Sequence, residues 1–308
     1  MKNETILITG SAGFIGTHLV RKLVNLNFTI VCFDIFFSDS FISEFNSKVI
    51  IQKGNLNDKS ILKKINQKYS FSFVFHLAGS KSRTNNIIEF KESFEINYFG
   101  TLNLLNTLIN NKNLKKIILM GTMDEYGDSN QIFDESSLES PLSAYGLSKL
   151  TTTKLGLIYH KEFDLPITVI RPSIVYGHNQ GVEMFIPSII NTLSNDTFFD
   201  MTLGEQERDF LYICDLIEVI IKLKDSSNTN GEVINIGYGK SIKLVELAKY
   251  ISNKLKKDNL LNIGSVPYRS SESMNYSVCI NKAKTLLKWK PKYDIYSGID
   301  NILGKINK

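Results

Sequence analysis

Residues 1–170 alternate two kinds of apolar segment, and this alternation restricts the possible folds more than any other feature of the sequence. Short runs rich in β-branched residues predict strands that are buried on both faces. They cover residues 5–9, 29–33, 49–52, 73–78, 115–121 and 167–171. Segments with apolar residues at helical spacing cover residues 14–25, 58–68, 89–111 and 143–163. The alternation predicts an α/β fold, a doubly wound parallel sheet with helices on both faces.

The pattern changes after Arg171, where the elements become shorter. Helices are predicted over residues 184–193, 215–223 and 244–255, and strands over 208–213 and 233–237. We interpret residues 1–170 as one large domain, to which residues 209–238 return. Residues 171–208 and 239–308 are predicted to form a smaller C-terminal α/β lobe that binds the substrate.

Charge and cysteine content exclude several function classes. The 308 residues carry 36 Lys and Arg against 31 Asp and Glu, without a basic block longer than two residues, so nucleic-acid binding is not predicted. No apolar run approaches the roughly 18 residues of a membrane span, and the N-terminus lacks the apolar core of a signal peptide. The three cysteines are far apart and include no CxxC pair, so we expect small buried residues in a reducing compartment, without a metal site. The sequence therefore predicts a cytoplasmic protein with no membrane partner.

A glycine-rich segment, ITGSAGFIG, joins the first predicted strand to the first predicted helix. Its glycines, Gly10, Gly13 and Gly16, suit a tight turn, a close approach of backbone to a pyrophosphate, and close packing of helix on strand. The N–H groups at the start of the helix favour phosphate. The spacing is GxxGxxG rather than GxGxxG, and a turn without a ligand has the same composition. The strand–turn–helix context nevertheless predicts a dinucleotide site in a Rossmann-like domain.

Asp34 ends the second predicted strand, where an acid can bind the ribose of a dinucleotide. Its carboxylate would accept hydrogen bonds from the ribose hydroxyls and repel a 2′-phosphate. No arginine follows it in the segment DIFFSDS. The sequence therefore predicts NAD rather than NADP as the cofactor, with a solvated loop aspartate as the alternative.

Tyr145 and Lys149 lie four residues apart and therefore share one face of the predicted helix over 143–163. A free phenol has a pKa near 10, and an ammonium one turn away favours the phenolate. A tyrosinate can take a proton from a substrate hydroxyl while hydride leaves the same carbon. Thr122, just past the end of a predicted strand, is placed to share that proton. A surface tyrosine beside a surface lysine has the same spacing, so the prediction depends on the whole set of motifs.

These motifs, in this order, resemble the extended short-chain dehydrogenase/reductase family, and within it the NAD-dependent epimerases and dehydratases of nucleotide sugars. The resemblance extends over nearly the whole chain. It is carried by the segments TGSAGFIG, FHLAG, NYFGTLNLL, SAYGLSK, RPSIVYG, GEQERDFLYICD, NIGYGKS, YRSSE and KAKTLLKWKP. It implies an NAD-binding Rossmann domain, a nucleotide-diphosphate sugar as substrate, and a homodimer in which helices 89–111 and 143–163 pack as a four-helix bundle. The apolar residues of those two helices are equally compatible with an ordinary core.

The resemblance also implies roles for individual residues. The cofactor would be bound by Gly10, Gly13, Phe14, Ile15, Gly16, Asp34, Asn55, Leu56, Leu77, Ala78, Gly79, Asn97, Tyr145, Lys149, Pro172, Ile174 and Val175. The catalytic set would be Thr122, Tyr145, Lys149 and Asp124. The substrate would be held by Lys81, Arg208 and Arg269. Ile174 stands where many relatives carry asparagine, and His76 and His178 receive no role.

The segment after Thr122 distinguishes the reactions that this resemblance allows. Epimerases and dehydratases both begin with oxidation of the sugar at C4; an epimerase then returns hydride to the other face, whereas a dehydratase also needs an acid pair directly after the threonine. Met123 occupies the first of these places and Asp124 the second, so Glu125 is expected to point away from the site. We predict a nucleotide-sugar 4-epimerase, followed by a 4,6-dehydratase and then by a 4-keto reductase or C4 dehydrogenase. An NAD-sensing binding protein is the non-enzymatic alternative, against which the complete catalytic set argues.

Overall fold

A seven-stranded sheet forms the centre of the structure, a computed structural model that describes residues 4–80, 87–128, 131–268 and 272–306. The strands are β1 (Thr5–Thr9), β2 (Thr29–Asp34), β3 (Ile50–Lys53), β4 (Phe73–His76), β5 (Lys116–Met120), β6 (Ile167–Pro172), β7 (Ile174–Tyr176), β8 (Phe199–Met201), β9 (Glu207–Tyr212), β10 (Val233–Ile236), β11 (Ser241–Lys243), β12 (Leu261–Ile263) and β13 (Asn275–Tyr276). The helices are α1 (Phe14–Leu23), α2 (Asp39–Phe45), α3 (Lys59–Tyr69), α4 (Ile87–Ser93), α5 (Gly100–Leu108), α6 (Ala144–Phe163), α7 (Phe185–Ser194), α8 (Ile213–Lys224), α9 (Leu244–Leu255), α10 (Asn281–Leu287) and α11 (Ile295–Ile306). All pairings in the central sheet are parallel, in the order β10-β6-β5-β4-β1-β2-β3, which confirms the predicted doubly wound α/β fold.

Helices cover both faces of this sheet, because successive side chains of a strand point to opposite sides. In β1, Ile6 and Ile8 join the apolar cluster that includes residues of α1 and α8. Leu7, between them, joins the cluster that includes residues of α3, α5 and α6. Burial on both faces explains why the strands appear in the sequence as uninterrupted apolar runs.

The second half of the chain contributes two smaller sheets. β9 pairs with β7, β11 and β13 in one of them, and β8 pairs with β12 in the other. Only part of segment 209–238 therefore returns to the central sheet. In that part, α8 contacts β5 and β10 pairs with β6, whereas β9 belongs to the smaller sheet. The apolar run of β9 correctly indicates a buried strand, but an apolar run does not specify which strands lie beside it.

The helix predicted over residues 89–111 is divided in the structure. α4 continues into a π-helical turn over Phe94–Phe99, and α5 follows directly. In this turn the backbone carbonyl of Asn97 accepts hydrogen bonds from the hydroxyls of Thr101 (2.5 Å) and Thr152 (3.1 Å). Such π-turns within helices are frequent at functional sites.

The three cysteines are free but differ in exposure. Cys32 is fully buried in β2, and burial raises the pKa of its thiol to about 12. Cys279 is half-buried and Cys214 in α8 is exposed, so the expectation of buried cysteines is wrong for Cys214. In the part of the chain that the structure describes, no helix combines the length and apolar character needed to cross a membrane.

Candidate active site

The predicted site residues meet at the carboxyl ends of the central strands. The order of the sheet reverses between β1 and β4, because β2 and β3 lie on one side of β1, and β4, β5 and β6 lie on the other. In open α/β sheets, ligands bind in the crevice at such a switch point. The glycine-rich loop follows β1 and Thr122 follows β5, so both lie at this edge.

The glycine-rich loop has a geometry that requires glycine at two positions. Gly10 has a φ of +68°, and a Cβ there would lie 2.6 Å from the backbone nitrogen of Ala78. A Cβ on Gly16 would lie 2.1 Å from the carbonyl oxygen of Gly10, because α1 packs directly on the loop. Gly13 is the exposed N-cap of α1. The loop thus presents backbone N–H groups at a helix N-terminus, an arrangement that fits a pyrophosphate.

Asp34 closes this loop from the end of β2. One oxygen of its carboxylate accepts a hydrogen bond from the backbone N–H of Ala12 (2.9 Å), and the other accepts one from Ile35 (2.8 Å). The carboxylate is therefore fixed beside the loop and keeps lone pairs for further donors. Phe14 and Ile15 lie half-buried in the first turn of α1.

The loop after β3 is connected to the same crevice. The backbone N–H of Gly54 donates to the carbonyl of Asp34 (2.9 Å). Next to it, Asn55 is exposed, and Leu56 is buried against Gly100. Asn55 and Leu56, two of the predicted cofactor contacts, therefore lie close to Asp34.

The buried Asn97 joins two other parts of the predicted cofactor site. Its side-chain oxygen accepts a hydrogen bond from the backbone N–H of Ser80 (2.8 Å), directly after the predicted contacts at residues 77–79. Its amide group donates to the hydroxyl of Ser148 (2.8 Å) in α6, the helix that carries Tyr145. The π-turn therefore ties the loop after β4 to the helix of the predicted base.

Tyr145 and Lys149 lie in the first turns of α6, which the hydroxyl of Ser143 caps. Tyr145 is half-buried and faces a cavity, whereas Lys149 is buried and its ammonium donates to the carbonyl of Met120 (2.7 Å). Burial lowers the pKa of Lys149 to about 8, and the negative charge of Glu125 opposes this shift. The ammonium is therefore still the main form at neutral pH.

A single 3₁₀ turn, Met123–Glu125, follows β5. Thr122 caps it, because its hydroxyl oxygen accepts a hydrogen bond from the backbone N–H of Asp124 (3.2 Å). One carboxylate oxygen of Glu125 accepts in return from the backbone N–H of Thr122 (2.9 Å). As an acceptor in this turn, the Thr122 hydroxyl keeps its own hydrogen for a second partner.

Glu125 belongs to a group of side chains that is buried at its centre and exposed at Lys154, called here the Arg171 cluster: Arg171, Glu125, Tyr126, Glu139 and Lys154. Arg171 donates to Glu125 (2.7 Å) and to Glu139 (2.5 Å), its guanidinium lies 4.6 Å from the centre of the Tyr126 ring, and Lys154 pairs with Glu139. Burial raises the pKa of Glu125, and the charge of Arg171 opposes this effect. Two cations balance two carboxylates, as buried charges require. Glu125 therefore points into the protein.

A cavity of about 880 Å³ opens beside Tyr145, a volume typical of sites that take sizeable small molecules. Its wall includes the predicted site residues Tyr145, Asp124, Ile174, Val175 and Arg208. Three other predicted residues are buried: Thr122 just after β5, Lys149 near the start of α6, and Pro172 at the end of β6. The structure therefore brings one part of the predicted catalytic set to the cavity surface and another part into the protein.

The sequence analysis missed important residues of this wall. Tyr276 donates a hydrogen bond from its hydroxyl to the carboxylate of Asp124, and its ring centre lies 5.8 Å from the guanidinium of Arg208. Arg208 in turn forms an ion pair with Glu272 at 2.5 Å. An aromatic part of the wall consists of Phe185 and Phe199, edge to face at 5.9 Å. The only sequence signal for these contacts was the segment YRSSE, which contains Glu272.

His76, to which the sequence analysis assigns no role, lies in the protein interior and not in the cavity wall. Lys81 and Arg269 lie outside the described residues. His76 is buried between the hydroxyls of Thr9 (2.6 Å) and Thr101 (2.7 Å), and burial lowers the pKa of its ring to about 3. Among residues 4–80, 87–128, 131–268 and 272–306, no group of three or more His, Cys, Asp or Glu side chains could hold a metal ion.

Known proteins are similar to this chain in sequence and in fold. Residues 6–237 match the model of the NAD dependent epimerase/dehydratase family. A putative UDP-glucose 4-epimerase of Methanocaldococcus jannaschii is 29% identical over 97% of this chain and 97% of that protein. A dTDP-D-glucose 4,6-dehydratase of Mus musculus is 29% identical over 96% of this chain and 86% of that protein. The solved structure of UDP-glucuronic acid 4-epimerase from Bacillus cereus, in complex with UDP-glucuronic acid and NAD, is 31% identical, covers 98% of this chain and 99% of that chain, and superposes with a TM-score of 0.87.

Proposed function

The chain belongs to the NAD dependent epimerase/dehydratase family, and from this premise we propose that it is a nucleotide-sugar 4-epimerase. As a member of this family it is an NAD-dependent enzyme. The proposed reaction oxidises the C4 hydroxyl of the sugar to a ketone and reduces the ketone on its opposite face. The observation that carries the proposal is the position of Tyr145 in the cavity wall, one helical turn from Lys149. The ammonium of Lys149 lies 3.1 Å from where a Cβ of Gly79 would stand, at the edge of the crevice.

Each polar group of the catalytic set has a task in this reaction. NAD supplies the hydride acceptor when bound, and the glycine-rich loop, Asp34 and Lys149 are the groups that would hold it. Tyr145, as its anion, takes the proton of the C4 hydroxyl, and the neighbouring ammonium of Lys149 stabilises that anion. The Thr122 hydroxyl donates a hydrogen bond to the same substrate oxygen.

Arg208 is the group that would bind the diphosphate of the substrate. It lies in the cavity wall at the start of β9 and is paired there with Glu272 at 2.5 Å. A diphosphate carries more negative charge than one carboxylate and accepts the two parallel hydrogen bonds that a guanidinium offers. Substrate binding would therefore replace Glu272 as the partner of Arg208.

Epimerisation is favoured over dehydration by the surroundings of the residues after Thr122. A dehydratase needs one group to remove the C5 proton and another to protonate the departing C6 hydroxyl. Met123 is buried and apolar, and Glu125 is committed to the Arg171 cluster. The second candidate is nevertheless a 4,6-dehydratase, because Asp124 lines the cavity at the place that the carboxylate of such an enzyme would occupy.

Nuclear magnetic resonance of products formed in deuterated water tests the proposal. The enzyme with NAD is incubated separately with UDP-, dTDP-, GDP- and CDP-linked hexoses. Inversion at C4 without deuterium uptake is the expected result. Loss of the C6 hydroxyl with deuterium at C5 would instead establish the dehydratase, and binding without turnover of any of these sugars would contradict the proposed function.

We further propose that the enzyme acts in the cytoplasm as a homodimer formed through α6 and the helical segment 87–108. Several apolar side chains of these helices are exposed in the single chain, namely Ile87, Ile88, Phe99, Ile158 and Phe163. Ile158→Lys should shift the mass measured by light scattering from dimer to monomer. Leu138→Lys, at an exposed position outside these helices, is the matched control and should leave the mass unchanged. A monomeric wild-type protein would contradict the proposal.

A further inference from the structure

Tyr276 reaches the cavity from a distant part of the chain. It ends β13, which pairs with β9 so that Tyr276 lies opposite Arg208. Its side chain is only 8% exposed, yet it forms part of the cavity wall. Its hydroxyl donates a hydrogen bond to Oδ1 of Asp124.

One carboxylate oxygen of Asp124 is hydrogen-bonded, and the other is buried. Oδ1 is engaged by the hydroxyl of Tyr276, and Oδ2 has less than 1 Å² of accessible surface. The backbone N–H of Asp124 is held in addition by the hydroxyl of Thr122. Asp124 therefore lines the cavity without presenting a solvated carboxylate to it.

The ring of Tyr276 is itself fixed from two sides. Phe133 meets it edge to face, with ring centres 6.5 Å apart at an interplanar angle of 85°. The guanidinium of Arg208 lies 5.8 Å from its centre. Because packing holds the ring, the hydroxyl is directed at Asp124 before any substrate binds.

We propose that Tyr276 is a specificity-determining residue that keeps Asp124 from acting as a base on the sugar. The inference rests on the proposed oxidation at C4, because a ketone there acidifies the C–H bonds at C3 and C5. A free carboxylate would take such a proton onto its oxygen and leave the electron pair in an enolate. The enolate would then regain a proton from water or, when formed at C5, expel the C6 hydroxyl. An epimerase avoids both outcomes, and a carboxylate with one oxygen held by a phenolic hydroxyl and the other buried is not presented to the sugar.

Deuterium uptake by the sugar measures this restraint. Wild type, Tyr276→Phe and the double variant Asp124→Asn/Tyr276→Phe are incubated with NAD and UDP-glucose in deuterated water, and deuterium at C3 and C5 is read by nuclear magnetic resonance. Tyr276→Phe should raise deuterium uptake per turnover about tenfold, the value of one hydrogen bond to a charged group. The double variant should return to the wild-type level. Tyr250→Phe is the matched control, because its hydroxyl also donates to an aspartate, Asp300 (2.8 Å), outside the cavity wall.

Two results would overturn the inference: uptake by Tyr276→Phe equal to wild type, or a gain that persists in the double variant. Urea unfolding of the protein without substrate tests the restraint independently of turnover. The destabilisations of Tyr276→Phe and Asp124→Asn should be non-additive in the double variant, and strict additivity would contradict the bond. If wild type converts no nucleotide sugar, the proposed function fails, while the unfolding cycle still decides whether Tyr276 restrains Asp124.

Discussion

Two neighbouring carboxylates on the turn after β5 have opposite surroundings. Glu125 is fully buried in the Arg171 cluster, where cations balance its charge. Asp124 is half-buried in the cavity wall, where its partner is the neutral hydroxyl of Tyr276. Burying an ion costs several kcal/mol unless a counterion compensates, whereas a carboxylate at a cavity surface needs less support. The comparison shows that the place on the turn decides whether an acid is buried among counterions or lies in the cavity wall beside a neutral hydroxyl.

The largest expected effect comes from removing the counterion of Glu125. Arg171→Met should lower the free energy of unfolding by about 3–5 kcal/mol, because a buried carboxylate loses its main partner. Urea unfolding provides the measurement. Arg21→Met, which breaks an exposed pair with Glu44 at 2.6 Å, is the control and should cost less than about 1 kcal/mol. Equal losses of unfolding free energy for Arg171→Met and Arg21→Met would show that the buried ion pairs of the cluster contribute no more than an exposed pair.

Met123, on the same turn, tests the difference between the buried and the cavity-facing positions, because it is only 2% exposed. Met123→Asp introduces the acid that the dehydratase pattern has at this place. The new carboxylate would lie in a buried apolar cluster. We expect a loss of about 2 kcal/mol or more in thermal unfolding, and no dehydration product. Met123→Leu, the control, should cost less than about 1.5 kcal/mol. A stable Met123→Asp enzyme that removes the C6 hydroxyl would contradict the assigned position.

The pH dependence of turnover distinguishes the effects of Glu125 and Glu139, the two carboxylates that pair with Arg171. Wild-type activity should fall as pH rises through about 8, because Lys149 then loses its proton. Glu125→Gln removes the negative charge that raises the pKa of Lys149, so the fall should begin about one pH unit lower. Glu139→Gln also weakens the Arg171 cluster but should leave the midpoint unchanged. Equal midpoints for Glu125→Gln and Glu139→Gln would show that Glu125 does not influence Lys149.

The smallest effect is expected at the rim of the cluster. Lys154 pairs with Glu139, but its side chain is 53% exposed. Lys154→Met should therefore change the free energy of unfolding by less than about 1 kcal/mol in urea. A loss comparable to that of Arg171→Met would mean that the four charges act as one unit.

The parts of the fold and site that the sequence predicts are those encoded locally. The central strands are continuous apolar runs. The segment after the first strand has Gly10 and Gly16, because only glycine fits at those two positions. Tyr145 and Lys149 are separated by one helical turn, so their shared face follows from their spacing. These features need no knowledge of distant pairings.

The parts that the sequence does not predict depend on pairings between distant segments. Tyr276 reaches Asp124 only because β13 adds to β9, and no spacing within the chain indicates that register. The ion pair between Glu125 and Arg171 likewise depends on β5 and β6 lying side by side. The π-turn at Asn97 interrupts the predicted helix, and the hydroxyl of Thr152 on α6 reaches its carbonyl through a tertiary contact that the helical pattern does not indicate.

Single-turnover absorbance of NADH tests the central claim, that Tyr145 takes the proton of the C4 hydroxyl. The NAD-loaded enzyme is mixed with a nucleotide sugar that it converts, and the affinity for NAD is measured in parallel. Tyr145→Phe should slow the oxidation about 10²–10⁴-fold while NAD stays bound. Tyr159 is on α6 like Tyr145, and its hydroxyl donates to Asn106 (2.8 Å) on α5. Tyr159→Phe should therefore oxidise the sugar at the wild-type rate. Oxidation by Tyr145→Phe at that same rate would contradict the account.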